Sequence, residues 1–209
     1  MKTPFTTEQF FSVFEKYNHT VFPAQVILIL LGVFALIAVG SGLKHKDKFI
    51  SSILGFLWLW IGIVYHISFF SAINKVAYGF GGLFIIQGFM ILFEGVLRDN
   101  LRFDFKRTFQ GYLGYFFVLH GLVIYPIVGY LIEQNLTHTI SLGLPCPTTI
   151  MTFGFLLLTD KWFSKYLLII PSLWAIIGIS AVINLGVYQD SMMLIAAVIT
   201  NVILINSKK

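Results

Sequence analysis

The side chains of this chain that could take part in chemistry are few, and they lie within or beside long apolar stretches. The single cysteine, Cys146, stands between Pro145 and Pro147 at the start of one such stretch. His66 and Gln87 lie inside two others. A thiol and an imidazole can act together as nucleophile and base, or they can bind zinc or copper. The first questions are therefore how deep these residues lie and whether they face one another.

The composition indicates a protein that crosses a membrane several times. Of the 209 residues, 57% are hydrophobic and 11% are charged, whereas a soluble domain carries about 25% charged residues. The net charge of +5 does not indicate nucleic acid as a partner, because the basic residues form short clusters between apolar runs. A single cysteine excludes an intrachain disulfide. The expected partner is therefore the lipid bilayer, and the sequence does not define an oligomeric state.

Seven apolar runs predict an all-α fold of seven transmembrane helices. The predicted helices cover 21–42, 50–73, 79–97, 109–132, 146–159, 165–186 and 188–206. Residues 6–18 begin with a threonine cap and then show aromatic side chains at helical spacing, which predicts a short amphipathic helix lying in the membrane interface. The chain shows no repeat and no linker. We expect residues 1–209 to form a single transmembrane domain, with an interfacial segment at 1–20 and a seven-helix bundle at 21–206.

Positive charges predict the orientation of these helices. With the N-terminus outside and the C-terminus in the cytoplasm, eleven of the 14 basic residues fall on the cytoplasmic side. If the run at 146–159 did not cross the membrane, every later segment would change sides and the basic residues would divide evenly. The seven-span arrangement is therefore favoured. Residues 188–206 contain no lysine, which argues against a retinal protein of the rhodopsin type.

The short run at 146–159 predicts a recessed thiol. A helix from Cys146 to Lys161 rises about 22 Å, against a hydrocarbon core of about 30 Å. With Asp160 and Lys161 at the inner interface, Cys146 would lie about 8 Å below the outer edge. Non-helical backbone at such depth is tolerated only where it is packed in protein or lines a wet cavity.

The residues around Cys146 predict how this helix begins. Pro147 suits a first helical position, and Cys146 would then cap the helix. Thr148 and Thr149 can bond the backbone groups that are freed there. The helix dipole would favour a thiolate at Cys146. The alternative is an inert, buried thiol.

Other polar residues are expected in the middle and outer half of the membrane, at 1.5 Å of rise per residue. His66 shares a helix face with Gly55 and Gly62, and glycines mark close helix contacts, so His66 should point inward. Glu94 is expected to pair with Arg98, four residues later. The residues that could form one solute site are Cys146, His66, Gln87, Gln25, Asn74, His120, Thr148 and Thr149. Cys146, His66 and His120 could also hold a metal ion, although no sequence spacing supports that site, and no cofactor is indicated.

Six blocks of the sequence resemble an uncharacterised family of small bacterial polytopic membrane proteins, a domain of unknown function. The blocks are PFTTEQFFSVFEKYN, VFPAQ, LWLWIGIVYHISFFSAIN, FIIQG, LPCPTTIMTFG and IPSLWAIIG. The resemblance covers nearly the whole chain and implies a bacterial inner-membrane location. Its pattern includes Pro23, Gln25, Tyr65, His66, Asn74, Gln87 and the segment from Pro145 to Thr149, but it implies no activity.

Three hypotheses of function remain open at this point. The first is a protein that binds or transports a small solute or ion through a site in the outer half of the bundle. The second is a membrane-embedded enzyme or redox protein that uses Cys146 as nucleophile and His66 as the base or as the group that orients it. The third is a scaffold or sensor subunit without chemistry. No nucleotide-binding, metalloprotease or hydrolase motif occurs, which weakens the second hypothesis and predicts no catalytic residue.

Overall fold

The structure is a computed structural model that describes residues 4–159 and 163–206. Its secondary structure over these ranges is helical, apart from isolated bridges between single residues. The all-α prediction is therefore confirmed. Eight helices form over the described ranges, namely α1 (Thr7–Val21), α2 (Ala24–Val39), α3 (Lys46–Ala72), α4 (Ala77–Leu97), α5 (Phe109–Glu133), α6 (Pro145–Leu157), α7 (Lys165–Leu185) and α8 (Tyr188–Asn206).

Five of these helices, α3, α4, α5, α7 and α8, are long and apolar enough to cross a membrane. Helices α1 and α2 meet at an angle of 88° and would together count as a sixth. Helix α6 is apolar but has only 13 residues. The helices therefore indicate a membrane protein. By length alone they give five or six spans rather than the predicted seven, although each predicted run contains a helix.

The first predicted helix, 21–42, is shorter in the structure, and this boundary prediction was wrong. Helix α1 continues to Val21, and α2 runs only from Ala24 to Val39. Pro23 lies at the junction, and proline has no backbone N–H with which to continue a helix from α1 into α2. Asp160 and Lys161, which we expected at the inner interface, lie outside the described residues, as do Lys2, Lys208 and Lys209.

Helix α1 places its aromatic face against the rest of the protein. Its cap is the predicted one, because the Gln9 backbone N–H donates to Thr6 Oγ1 at 3.2 Å and the Thr6 N–H donates to Gln9 Oε1 at 2.9 Å. The buried side of the helix is Phe10, Phe11, Val13, Phe14 and Tyr17. The Tyr17 hydroxyl donates to the Gly143 carbonyl at 3.1 Å and accepts from Trp60 Nε1 at 2.8 Å. These bonds tie α1 to α3 and to the loop before α6.

Glycines allow two pairs of helices to approach backbone to backbone. A Cβ atom at Gly62 of α3 would lie 2.8 Å from the Gly81 carbonyl oxygen of α4. A Cβ atom at Gly114 of α5 would lie 2.9 Å from the Gly154 carbonyl oxygen of α6. The predicted glycine face of α3 is therefore a contact face, and Gly114 gives α5 a second one. The contact with α5 helps to hold α6 inside the bundle, where nearly all of its residues are buried.

Three of the long helices contain a π-helical segment. These segments cover Ile61–Phe69 in α3, Phe93–Leu97 in α4 and His120–Ile124 in α5. They hold His66, Glu94 and His120, which are three of the polar residues that the sequence singled out. A π-helical turn widens the helix and often marks a functional site. It also changes which side of the helix the following residues occupy, so faces predicted from regular spacing become unreliable beyond it.

Candidate functional site

The site is organised by the first turn of α6. Leu144 before the helix is extended, with φ −110° and ψ 158°, and the helix starts at Pro145. Cys146 is therefore the second helical residue. The prediction that it caps the helix was wrong. Pro145, rather than Pro147, takes the first position, where a missing N–H costs nothing. The proline pair thus moves the start of the helix two residues earlier than we expected.

Thr148 and Thr149 bond the backbone at this turn, as predicted. Thr148 Oγ1 accepts a hydrogen bond from the Gly143 N–H at 3.3 Å. Thr149 Oγ1 donates to the Pro145 carbonyl at 2.8 Å. Gly143 itself has a φ of +95°, which a residue with a side chain rarely adopts. These contacts fix the backbone on both sides of Cys146, and its thiol points towards α8.

The thiol of Cys146 meets a buried carboxylate. Its Sγ donates to Asp190 Oδ2 at 3.4 Å, and the Tyr125 hydroxyl donates a very short hydrogen bond to Asp190 Oδ1. Asp190 is 3% exposed and Tyr125 is fully buried. The three side chains come from α6, α8 and α5. The local geometry is thus a thiol donor against a carboxylate acceptor, which is not an environment that stabilises the predicted thiolate.

A cavity of about 220 Å³ lies beside this group, and both Cys146 and Asp190 line it. Its walls are mainly apolar and include seven aromatic side chains, which are Phe5, Phe10, Phe14, Tyr65, Phe70, Phe80 and Trp174. Pro4, Ser180 and Asn184 line it at the exposed surface, whereas Tyr65, Trp174 and Asp190 are buried. The cavity therefore runs from the surface between α1 and α7 to a polar end at Cys146 and Asp190.

Over the described residues, two buried polar groups near this end have no hydrogen bond of normal geometry. The indole N–H of Trp174 faces the Cys146 thiol but is buried without a hydrogen bond of normal geometry. His66 is fully buried, and neither of its ring nitrogens has a partner. Its ring lies 5.1 Å from that of Trp174 and 4.7 Å from that of Phe84, measured between centroids. His66 thus stands directly behind the aromatic wall of the cavity.

Of the eight residues predicted for one solute site, Cys146 and Asn74 line the cavity. Gln87 instead donates from Nε2 to the Leu167 carbonyl at 3.0 Å. In a regular helix that carbonyl would accept from the residue four positions later, which is Pro171 and has no N–H. Gln87 therefore replaces a missing backbone donor in α7, which gives it a structural task away from the cavity.

Gln25 and His120 also lie elsewhere. Gln25 Nε2 donates to the Asn18 carbonyl at 2.7 Å, beside a separate open groove between α1 and the loop before α6. His120 is buried with both ring nitrogens unpartnered, and its ring packs 5.9 Å from Phe116 and 6.4 Å from Tyr125. The predicted convergence on one cavity therefore does not include these two side chains.

The weak metal hypothesis finds no geometric support over the described residues. No group of three or more histidine, cysteine, aspartate or glutamate side chains there is placed to hold a metal ion. Cys146, His66 and His120 therefore do not form a common ligand set. The donor set that does meet is one thiol, one carboxylate and one phenol.

Sequence reasoning missed Asp190 and the aromatic residues that surround it. Asp190 lies in the run predicted to form the last helix, two residues from its start, so it resembles an ordinary interfacial acid. The signal that could have found it is its presence inside an apolar run, which it shares with Glu94, because an ionisable residue at membrane depth is a functional-site hypothesis in itself. Tyr125 and Trp174 carry no such signal, since aromatic residues are common in this chain.

Comparison with known proteins adds a family but no activity. No curated protein and no solved structure matches the chain. A family model matches residues 7–209. The described part of this match runs from α1 through α8 and includes every residue that lines the cavity except Pro4 and Phe5. The chain therefore belongs to the family of unknown function DUF6064.

Proposed function

We propose that this chain is a multi-pass membrane protein that binds a small solute in the cavity beside Cys146 and Asp190. The observation that carries the proposal is the meeting of a buried carboxylate and a thiol at the end of one cavity that Trp174 also lines. Polar groups in apolar surroundings cost free energy unless they find partners. A solute that enters the cavity could bring a partner to the Asp190 carboxylate, since each of its oxygens can accept a second hydrogen bond.

The size of the cavity suits a small organic molecule. An apolar cavity of about 150 Å³ is large enough to bind benzene, and this cavity holds about 220 Å³. The mixture of a largely apolar wall with a few polar groups at one end is typical of small-molecule sites. Transport would require the cavity to open to the second side of the membrane as well, so binding is the part of the hypothesis that the geometry supports.

The proposal includes a topology of seven spans with the N-terminus outside. The distribution of basic residues supports this orientation, and α6 would be a short span whose recessed end lies at the cavity. The cavity would then open to the outer side of a bacterial inner membrane. Reporter fusions after Asn74 and Gln134 should then be periplasmic, and a fusion at Lys46 should be cytoplasmic. A periplasmic signal at Lys46 would overturn this orientation.

Thiol chemistry remains a second candidate, because the Cys146 thiol donates to a carboxylate that could accept its proton. The form of this hypothesis with His66 as base lacks a contact, since neither nitrogen of His66 has a hydrogen-bond partner. Cys146→Ser separates the two candidates. Serine keeps the hydrogen bond to Asp190 and should preserve solute binding, whereas it would abolish a reaction that depends on sulfur.

The decisive experiment is native mass spectrometry of the purified protein, to detect and identify a co-purified small molecule. Ala181→Trp fills the cavity from α7 and should remove the bound species. Ile183→Trp adds the same side chain two residues later, at a position that is 75% exposed and does not line the cavity. It should retain the bound species. Equal retention by both variants would refute binding in this cavity.

A further inference from the structure

We infer that the solute is a small organic cation, a protonated or quaternary amine with an apolar body. This inference rests on the proposed function and adds the chemical class of the ligand. It is carried by three features of the cavity, which are its charge, its aromatic walls and the position of its polar groups.

The first feature is an unpaired negative charge. Among the described residues that line the cavity, Asp190 carries the only formal charge, and no lysine, arginine or histidine lies among them. Over residues 4–159 and 163–206, no ion pair reaches Asp190. Its two hydrogen bonds come from the neutral groups of Tyr125 and Cys146. A carboxylate buried in this way requires a cation or a proton, and each of its oxygens can accept a second hydrogen bond.

The second feature is the set of aromatic side chains in the walls of the cavity. A cation is attracted to the faces of aromatic rings, most strongly to tryptophan, and quaternary ammonium groups are commonly bound in aromatic cages. Trp174 and Phe80 line one wall, with ring centroids 5.3 Å apart and planes 77° apart. Phe14 and Tyr65 line another, stacked at 5.7 Å. These rings line the same cavity as Asp190.

The third feature is the scarcity of other polar groups in the interior. Ser180 and Asn184 are exposed and therefore lie at the mouth of the cavity. The buried interior offers few hydrogen-bonding groups, which disfavours a sugar or another polyol. An anion would meet a carboxylate and no positive charge, so its entry is opposed by repulsion. An apolar body that carries one positive charge fits both the walls and the buried end.

The test uses benzylammonium and benzyl alcohol, which have nearly the same shape and differ in charge. Binding is measured by isothermal titration calorimetry on the full chain in lipid nanodiscs, with empty nanodiscs subtracted. We expect the wild-type protein to bind benzylammonium at least about tenfold more tightly than benzyl alcohol, because it gains a buried charge pair. Asp190→Asn should remove this preference while leaving benzyl alcohol binding within about twofold.

Asp104→Asn is the matched control, because it makes the same change of charge at an exposed position near Lys46, far from the cavity. It should keep the preference for the cation. Trp174→Phe keeps a ring but weakens the attraction to a cation, so benzylammonium affinity should fall several-fold more than that of the alcohol. If Asp190→Asn does not give folded protein, Trp174→Phe supplies the deciding comparison.

The possible outcomes separate the two proposals. Two results would overturn the inference about cations. One is that benzyl alcohol binds as tightly as benzylammonium, and the other is that Asp190→Asn binds benzylammonium like the wild type. In either case the ligand is not a cation and Asp190 carries a proton. Solute binding in the cavity would then stand. If neither probe binds to the wild-type protein, the inference about cations and the proposed binding of a small solute are both overturned.

Discussion

The two ends of the helix bundle each contain a buried acidic side chain, and the two side chains have different kinds of partner. At the end where α4 finishes, Glu94 accepts hydrogen bonds from Arg98 at 3.3 Å, from Asn100 at 2.7 Å and from the Tyr166 hydroxyl. At the end where α6 and α8 begin, Asp190 accepts from a phenol and a thiol and, within the described ranges, meets no cation. One carboxylate has its counter-charge among the described residues, and the other has none there.

The difference separates an end that ion pairs and backbone hydrogen bonds fasten from the end where we propose that a solute binds. At the Glu94 end the loop after α4 is fastened across the bundle, because Asp47 binds Arg102 and the Phe103 N–H, and the Asp104 N–H donates to the Leu158 carbonyl. These contacts link α3, the loop and the end of α6. At the Asp190 end the corresponding space is a cavity. Matched substitutions can test this contrast.

The largest effect on stability is expected from Glu94→Gln. The amide retains one acceptor but places an NH₂ group against donors that now lack a partner, so the free energy of unfolding should fall by about 2 kcal/mol. Denaturant unfolding in detergent micelles measures this change. Asp104→Asn, at an exposed ion pair of 3.9 Å, should cost no more than about 0.5 kcal/mol. Equal losses for the two variants would remove the structural role that we assign to Glu94.

A smaller effect is expected from Gln87→Leu, which leaves the Leu167 carbonyl without a donor. The expected loss is about 1.5 kcal/mol in the free energy of unfolding. In a Pro171→Ala background the alanine N–H can bond that carbonyl, and the loss should shrink by about 1 kcal/mol. A double-mutant cycle on unfolding free energies measures this difference. Strict additivity would mean that Gln87 does not compensate for Pro171.

Among the buried polar side chains, the smallest effect on stability is expected from Asp190→Asn. The amide oxygen still accepts from Tyr125, and no cation is left unpaired, so the free energy of unfolding should change by less than about 1 kcal/mol. The same unfolding assay applies, with Glu94→Gln as the matched comparison of acid with amide. A loss at Asp190 as large as that at Glu94 would show that both carboxylates are structural, and the contrast between the two ends would fail.

Much of the local structure was predictable from the sequence. The apolar runs at 50–73 and 165–186 became helices, because a chain in a membrane must satisfy its backbone groups internally. The Thr6 cap and the pairing of Glu94 with Arg98 were also predicted. In each of these cases the partners lie within four residues of one another, and helical geometry alone brings them together.

The sequence by itself thus determined that each apolar run contains a helix, the cap at Thr6 and the glycine contact face of α3, since these depend on spacing along one segment. Only the tertiary structure decided that Cys146 and Tyr125 both meet Asp190. Cys146 is 44 positions from Asp190 in the sequence, and Tyr125 is 65 positions from it. It also decided that Gln87 and Gln25 do not line the cavity and donate to backbone carbonyls instead. Depth in a membrane can be estimated from rise per residue, but the direction in which a side chain points depends on neighbouring helices. Here π-helical turns in α3 and α5 and the early start of α6 set those directions, which no regular spacing could reveal.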